Sequence, residues 1–201
     1  MILQVTLALA ALSVAASNPV CCPPSRFSAF QHLTVSNSTT TTQGLHYFVW
    51  DGPNQRYFFG ENRVASNYYG TKKTIYDYKK GTAYRIDSVA RTCTTFPTQG
   101  KFLDQENVCV PGGAVNQGPL FFGYDQDTLH GTAYSSNSTT PDGRQQNVIA
   151  VVSKDCIPII SNTIITGNGE GGKVLYVKAY VYIFPGVKDV SLFNIPSYCY
   201  A

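Results

Sequence analysis

The sequence has little charge, and its basic residues are not concentrated. Of its 201 residues 13% are charged, with 15 Lys and Arg against 12 Asp and Glu and a net charge of +3, whereas a typical soluble domain is about 25% charged. Nucleic-acid binding needs a clustered Lys/Arg surface, but tyrosines interrupt the densest cluster. That cluster consists of Lys72, Lys73, Lys79 and Lys80. The composition argues against a nucleic-acid partner.

Recognisable catalytic motifs are also missing. The chain contains no G-x-S-x-G, H-E-x-x-H or P-loop pattern. Gly167–Gly172 matches G-x-G-x-x-G, but a strand-like segment follows where a dinucleotide site requires a helix. His32, His46 and His130 are scattered and identify no nucleophile. We therefore predict that the protein is not an enzyme and rank a hydrolase last among the hypotheses.

The chain is instead rich in aromatic residues, which make up 13% of it and include 14 Tyr and 11 Phe. Many aromatics combined with little charge is the opposite of a disordered composition. The sequence therefore predicts a folded chain with a substantial core.

The first residues predict a secretory signal. Ile2–Ala16 is an uncharged apolar run that ends in small residues, as a signal peptide does before its cleavage site. A membrane span would need roughly 20 apolar residues, so we expect no transmembrane anchor. We predict a signal peptide over residues 1–17, cleaved after Ser17, and a single domain over 18–201.

Six cysteines follow the predicted signal. In an oxidising compartment an even number of cysteines indicates disulfides, and the absence of a C-x-x-C pair gives no support to a zinc or redox site. A bridge between adjacent Cys21 and Cys22 would be strained, and the other pairings remain open. The sequons at Asn37 and Asn137 lie in polar Ser/Thr-rich stretches, and we predict glycosylation of both on exposed loops.

Short segments rich in β-branched and aromatic residues recur between turn residues. The turns Asp51–Asn54 and Lys79–Gly81 suit hairpins, because glycine supplies positive φ. The pattern predicts an antiparallel all-β sandwich, barrel or half-barrel and one helical turn over Asp189–Phe193, capped by Asp189. The predicted strands are Phe27–Val35, Leu45–Asp51, Gln55–Glu61, Lys72–Tyr78, Thr82–Asp87, Leu120–Tyr124, Thr132–Ser136, Gln145–Ser153, Ile157–Thr166 and Lys173–Phe184.

The strand Lys173–Phe184 is apolar on both faces, whereas a half-exposed strand alternates apolar and polar residues. Either it lies between two layers, or its tyrosine-rich face lines a cavity in which rings and hydroxyls meet a ligand. We predict a cavity. Its wall would consist of Phe48, Trp50, Tyr57, Phe59, Tyr76, Tyr78, Tyr176, Tyr180 and Tyr182, with further rings from Phe121 and Phe122.

Two polar motifs allow a binding or a structural interpretation. Asp125 and Asp127 offer carboxylates to calcium, but the spacing does not fit an EF-hand, and a solvated acidic turn explains them better. Arg56 could bind an anionic head group, but a hairpin turn in which Arg56 pairs with Asp51 or with a backbone carbonyl explains it better.

Several longer motifs occur in a characteristic order along the chain. They are Cys22-Pro23-Pro24, Trp50-Asp51-Gly52-Pro53-Asn54-Gln55-Arg56, Tyr78-Lys79-Lys80-Gly81, Tyr84-Arg85-Ile86-Asp87 with Cys93, Lys154-Asp155-Cys156-Ile157-Pro158, and Gly186-Val187-Lys188-Asp189 with Phe193, Pro196 and Cys199. This ordered set resembles the ependymin-related proteins. The resemblance runs through nearly all of the chain after the signal.

The resemblance implies a secreted or lysosomal glycoprotein in which two antiparallel sheets form a half-barrel or sandwich around a deep apolar pocket, similar to bacterial lipoprotein carriers. It also implies lipid binding in the pocket, homodimerisation and, more loosely, calcium binding and cell-matrix adhesion. By the same resemblance Cys93 pairs with Cys199, and Cys156 pairs with Cys21 or Cys22. Cys109 departs from the mammalian pattern, and we expect it to take the remaining cysteine of that pair.

We therefore predict a secreted glycoprotein that binds an apolar ligand, such as a lipid, in an aromatic-lined pocket. The alternative is a calcium-dependent glycoprotein of the extracellular matrix or of cell adhesion that has no small-molecule ligand.

Overall fold

The computed structural model describes residues 18–62, 69–103, 108–140, 142–167 and 172–200. The predicted signal peptide lies outside these residues, as does most of Gly167–Gly172. Short 3-10 turns occur at Gly52–Asn54, Asp125–Asp127, Val190–Phe193 and Ser197–Cys199. The strands are β1 (Arg26–Ser36), β2 (Thr41–Asp51), β3 (Arg56–Asn62), β4 (Tyr69–Asp77), β5 (Thr82–Asp87), β6 (Thr92–Pro97), β7 (Val115–Phe122), β8 (Leu129–Thr139), β9 (Gln145–Val152), β10 (Pro158–Thr166) and β11 (Lys173–Pro185).

All of these strands belong to one antiparallel sheet in the order β6-β5-β4-β3-β2-β1-β11-β10-β9-β8-β7. The antiparallel all-β prediction is confirmed. The resemblance implied two antiparallel sheets. In the structure they form one continuous sheet, because β1 pairs with β11 at its centre. Among the described residues β6 and β7 form the two edges, so the sheet is open.

Most predicted strands match the observed ones, and the mismatches lie at the edges of the sheet. The edge strand β6 was not predicted, because Thr92–Pro97 has little apolar alternation. The other edge strand, β7, begins at Val115, earlier than the predicted start at Leu120. Edge strands bury little, so hydrophobic periodicity locates them poorly.

The turn after β2 differs from the predicted hairpin chemistry. Gly52 does not take a positive φ, and that conformation falls on Gln55, with φ of 50°. A Cβ on Gly52 would lie 2.7 Å from the carbonyl oxygen of Ser25, to which the Gly52 amide donates a hydrogen bond of 2.8 Å. Gly52 is therefore needed for close backbone approach. Gly81 does take a positive φ, 67°, as predicted.

The first half of the sheet packs on both of its faces, as alternate residues of β2 show. Phe48 and Trp50 face one side and Tyr47 and Val49 the other, and all four are buried. The inner-face cluster consists of Phe27, Ala29, Phe48, Trp50, Tyr57, Phe102, Val108 and Tyr180. The outer-face cluster consists of Tyr47, Val49, Phe58, Ile75, Tyr84, Ile86 and Phe193.

The C-terminal segment covers this outer face. Phe193 packs into the outer-face cluster, and the Asp189 carboxylate accepts a hydrogen bond of 2.9 Å from the Ser191 amide. The predicted cap is confirmed, although the turn is a 3-10 helix. A disulfide between Cys93 and Cys199 fastens the end of the segment to β6.

Two further disulfides bind the first described residues to distant parts of the chain. Cys21 pairs with Cys156, and Cys22 pairs with Cys109. The bridges of Cys156 and Cys199 agree with the pairings that the family resemblance implied, and Cys109 takes the remaining cysteine, as expected. The bridge to Cys156 joins residues 135 positions apart, and cross-links over long loops restrict the unfolded chain most.

No helix among the described residues is both long enough and apolar enough to span a membrane.

Candidate functional site

A cavity of about 250 Å³ opens on the inner face of the sheet. It is lined by Leu33 of β1, Phe59 of β3, Thr74 and Tyr76 of β4, and Tyr176 and Lys178 of β11. Phe59, Tyr76 and Tyr176 belong to the predicted pocket wall. The structure thus brings these three rings together from three separate strands.

The curvature of the sheet creates this cavity. In the strand order, β4 lies four positions from β11, which in a flat sheet would separate them by about 19 Å. Tyr76 and Tyr176 nevertheless line one cavity. The sheet must therefore curl, as expected for a half-barrel.

Four other predicted wall residues form the packed layer beside the cavity. Phe48, Trp50, Tyr57 and Tyr180 are buried in the inner-face cluster. The ring of Tyr57 stacks on Tyr76 with centroids 4.3 Å apart, and Phe48 lies 5.9 Å from Phe59. Aromatic contacts of this kind add about 0.5–1.5 kcal/mol each beyond burial. This layer holds the lining rings in place.

Tyr78 is farther from the cavity than predicted. Its ring packs on Phe102 at 5.6 Å, and its hydroxyl donates to the carbonyl of Gln99 at 3.3 Å. Phe102 in turn stacks on Trp50, with centroids 4.0 Å apart. Tyr78 therefore helps to fasten the loop that contains Gln99 and Phe102 onto the inner-face cluster.

The prediction that Tyr182 lines the pocket is wrong, because a β-bulge reverses the alternation of β11. Ser28 pairs with Phe184 and Phe30 with Val181, so two residues of β11 oppose Ala29 alone. Tyr182 takes a positive φ of 50° and packs on Phe30 of the outer face, where it is 75% exposed. Ile183 packs against the inner-face cluster instead.

Phe121 also lies apart from the cavity. It is 62% exposed on the edge strand β7, where its ring contacts His130 at 5.0 Å. Of the other histidines, His46 packs on Phe59 with ring centroids 4.8 Å apart, while His32 is exposed.

Sequence patterns did not identify two buried polar residues close to the cavity. Gln31 of β1 is fully buried and Ser161 of β10 is 4% exposed. No hydrogen-bond partner for the Gln31 amide atoms or the Ser161 hydroxyl is present among the described residues. A buried polar group without a partner costs about 1–3 kcal/mol. The sequence signals Gln31 only as a polar residue on an otherwise apolar face of β1, and it does not distinguish Ser161 from the neighbouring polar residues of β10.

Strand register places both residues next to Lys178. Ser161 lies directly opposite Lys178, and Leu33 lies opposite Lys178 on its other side. Gln31, two residues before Leu33 on the same face, is diagonal to Lys178. Diagonal neighbours of this kind are about 7–8 Å apart.

The Asp51 turn is structural, as predicted. The Asp51 carboxylate accepts hydrogen bonds of 2.9 Å from Arg26 and Arg56 and of 2.8 Å from Asn54. Burial by itself would raise the pKa of Asp51, but the hydrogen bonds from Asn54, Arg26 and Arg56 outweigh it, and the pKa is lowered from 3.8. Arg56 is therefore committed to this turn.

Asp125 and Asp127 lie in one exposed 3-10 turn. Within the described part of the chain, no group of three or more His, Cys, Asp or Glu is placed to hold a metal ion. Calcium binding by these two carboxylates stays a prediction.

Both sequons are exposed. Asn37 lies in the β1–β2 turn, where its side-chain oxygen accepts hydrogen bonds from the amides of Thr39 and Thr40 at 2.9 and 2.8 Å. Asn137 lies within β8, not in a loop as predicted, and its side-chain oxygen accepts a hydrogen bond of 2.7 Å from Asn147. Glycosylation of both stays a prediction.

Comparison with known proteins identifies close relatives. A family model described as Ependymin matches residues 66–199. Over the full length of both chains, the sequence is 55% identical to Ependymin-related protein 2 and 52% identical to Ependymin-related protein 1 of Haliotis asinina.

Solved structures align with this chain at low sequence identity. An uncharacterised conserved protein from Thermus thermophilus aligns with a TM-score of 0.50 at 10% identity, covering 86% of each chain. This likeness concerns the fold alone. A LolA superfamily protein from Nitrosomonas europaea aligns with a TM-score of 0.43 at 9% identity, covering 86% of this chain and 91% of the other.

Proposed function

We propose that this chain, which belongs to the ependymin family, binds an apolar ligand of the lipid class in the cavity on its inner face. The observation that carries the proposal is the lining itself: three aromatic rings and Leu33 surround about 250 Å³ of space. Ligand sites are concave, mostly apolar and supplied with a few polar groups. This cavity has that composition.

Binding would be driven by removal of acyl chain from water. Each buried methylene contributes about 0.8 kcal/mol, and the rings of Phe59, Tyr76 and Tyr176 provide the surface that replaces water. The hydroxyls of the two tyrosines supply polar groups to orient the ligand. In this proposal the protein binds its ligand without chemistry.

The proposed setting is the secretory route, ending outside the cell or in the lysosome. Three disulfides suit an oxidising compartment, and both sequons are exposed.

Homodimerisation is proposed on a different feature, the apolar side chains left exposed on the outer face of the sheet. Val181, which precedes Tyr182 in β11, and Ile149 of β9 are both 41% exposed there. Burial of such a patch between two copies would remove it from water.

Native mass spectrometry of the purified protein, with lipid extraction, tests the ligand. We expect co-purifying lipid and a rise in melting temperature when lipid is added. Leu33→Trp should fill the cavity and abolish both effects. Leu120→Trp, at a position 43% exposed on β7, is the matched control and should retain them. If the unmodified protein carries no lipid and lipid does not change its melting temperature, the proposal fails.

A further inference from the structure

We propose that the cavity takes a single-chain amphiphile with one anionic head group, and that Lys178, Gln31 and Ser161 form the seat of that head group. This inference deepens the apolar-ligand function proposed above and rests on it. The head-group seat is defined here as these three residues, which come from β11, β1 and β10.

The charge of the lining is the first observation. Lys178 brings an ammonium group to a wall that otherwise consists of three aromatic residues, Leu33 and Thr74. Contacts between an ammonium and a carboxylate or phosphate are among the strong hydrogen bonds. A purely hydrocarbon ligand would make no use of this group.

The buried polar groups are the second, independent observation. Gln31 is fully buried and Ser161 nearly so, and within the described residues the Gln31 amide and the Ser161 hydroxyl have no hydrogen-bond partner. Both lie on the inner face beside Lys178, one directly opposite it and one diagonal to it. Native proteins rarely leave buried polar groups unsatisfied. An oxyanion held by Lys178 would accept hydrogen bonds from Gln31 Nε2 and Ser161 Oγ.

Two other buried groups without partners in the described residues do not share this position. Ser28 and Asn162 pair in register with Val49 and Val177 on the outer face of the sheet. The coincidence of a cation with unsatisfied donors is therefore specific to the cavity side of β1, β10 and β11.

The size of the cavity restricts the ligand further. Its volume of about 250 Å³ lies just below the roughly 300–1,000 Å³ of sites that hold drug-sized ligands. One acyl chain with a compact head group suits this volume.

Isothermal titration calorimetry of the full disulfide-bonded protein tests the head-group seat. The probes are decanoate and decyl phosphate, which distinguish a carboxylate from a phosphate head, with 1-decanol as the uncharged match and acetate as the anion without a chain. Lys178→Met removes the charge and keeps an unbranched side chain. Gln31→Leu and Ser161→Ala remove the two buried polar groups. Lys173→Met, at the exposed start of the same strand, is the control.

We expect both anionic probes to bind about 10-fold more tightly than 1-decanol. Lys178→Met should remove this preference and leave the affinity for 1-decanol within about twofold. Gln31→Leu and Ser161→Ala should each weaken decanoate binding by roughly 3- to 10-fold, and Gln31→Leu should also raise the melting temperature, because it removes an unsatisfied group. Lys173→Met should behave like the unmodified protein.

Equal affinities for decanoate and 1-decanol, or a preference that survives Lys178→Met, would overturn the head-group seat and leave the proposed function in place. If acetate binds as tightly as decanoate, the acyl chain contributes nothing, and the proposal that the ligand is an amphiphile fails. If none of the three decyl probes binds, both the seat and the proposed function fail. Whichever of decanoate and decyl phosphate binds more tightly identifies the head group of the ligand. Either order of these two affinities supports the head-group seat.

Discussion

The guanidinium carbon of Arg56 lies 4.1 Å from the centre of the Phe193 ring. This contact joins the start of β3 to the C-terminal segment on the outer face, while the same guanidinium donates to the buried carboxylate of Asp51. One side chain thus connects the β2–β3 turn to the cover of the outer-face cluster.

Replacement of Arg56 by alanine should destabilise the protein by about 1–3 kcal/mol, because Asp51 loses a partner while it stays buried. Urea denaturation measures the loss. Lys80→Ala is the control, since Lys80 forms an exposed ion pair with Asp77 at 3.5 Å, and such pairs contribute about 0–1 kcal/mol. Equal losses for the two variants would contradict this role of Arg56.

The Asp51 carboxylate should make the stability depend on acid pH. The pKa of Asp51 is lowered from 3.8 in the folded protein, so its contribution is present above the unfolded value and is lost as the pH falls through the folded value. Asp51→Asn should therefore cost stability at pH 6, and the difference from the unmodified protein should shrink below about pH 4. Urea midpoints between pH 6 and pH 2 measure this.

Asp142 provides the comparison for that measurement. A hydrogen bond from Thr140, followed by contacts with Arg144, also lowers the pKa of Asp142, but this carboxylate is fully exposed. Asp142→Asn should change the urea midpoint little at any pH, because exposed pairs are screened by solvent. A pH-independent loss for Asp51→Asn would show that its titration does not govern the effect.

Removal of the Cys93–Cys199 disulfide should expose the outer face. The bridge spans 106 residues, for which chain entropy gives a stabilisation of at most about 4.7 kcal/mol. Cys93→Ser with Cys199→Ser should lower the denaturation midpoint and speed hydrogen exchange in β5. Cys22→Ser with Cys109→Ser, across 87 residues, should lose a similar free energy without faster exchange in β5. Equal exchange in both variants would refute the covering role.

Mutation should distinguish the buried from the exposed residues of the predicted pocket wall by their loss of stability. Phe48→Ala should cost about 3–5 kcal/mol, because it creates a cavity in the inner-face cluster. Tyr182→Ala should change stability by no more than about 0.5 kcal/mol, as is usual at exposed positions, and should leave lipid binding unchanged. Denaturation and lipid-binding titrations measure both. Loss of lipid binding in Tyr182→Ala would contradict its position on the outer face.

Calcium should bind weakly, if the turn of Asp125 and Asp127 is its site. We expect a dissociation constant of about 10⁻⁴–10⁻³ M, the range of extracellular modules. The double variant Asp125→Asn with Asp127→Asn should abolish the heat of calcium titration, whereas Asp155→Asn, at another exposed aspartate, should not. Unchanged heat in the double variant would show that Asp125 and Asp127 are not the calcium ligands.

Local sequence patterns determined much of the secondary structure. Alternation and turn chemistry predicted β1–β5 and β8–β11, the positive φ of Gly81 and the cap at Asp189. These features depend on residues close together in the chain, so local preferences specify them. The pairing of Arg56 with Asp51 is equally local, because only the β2–β3 turn separates the two residues.

Only the tertiary structure decided which aromatic residues line the cavity. Phe48 and Phe59 belong to the same predicted wall, but the first is buried in the inner-face cluster and the second lines the cavity. The bulge at Tyr182 exists because β11 pairs with β1, a strand more than a hundred residues away. Gln31, Ser161 and Lys178 become neighbours through the same long-range pairings. Strand alternation assigns a residue to one of two faces, but the partners across a curved sheet depend on contacts that local patterns do not contain.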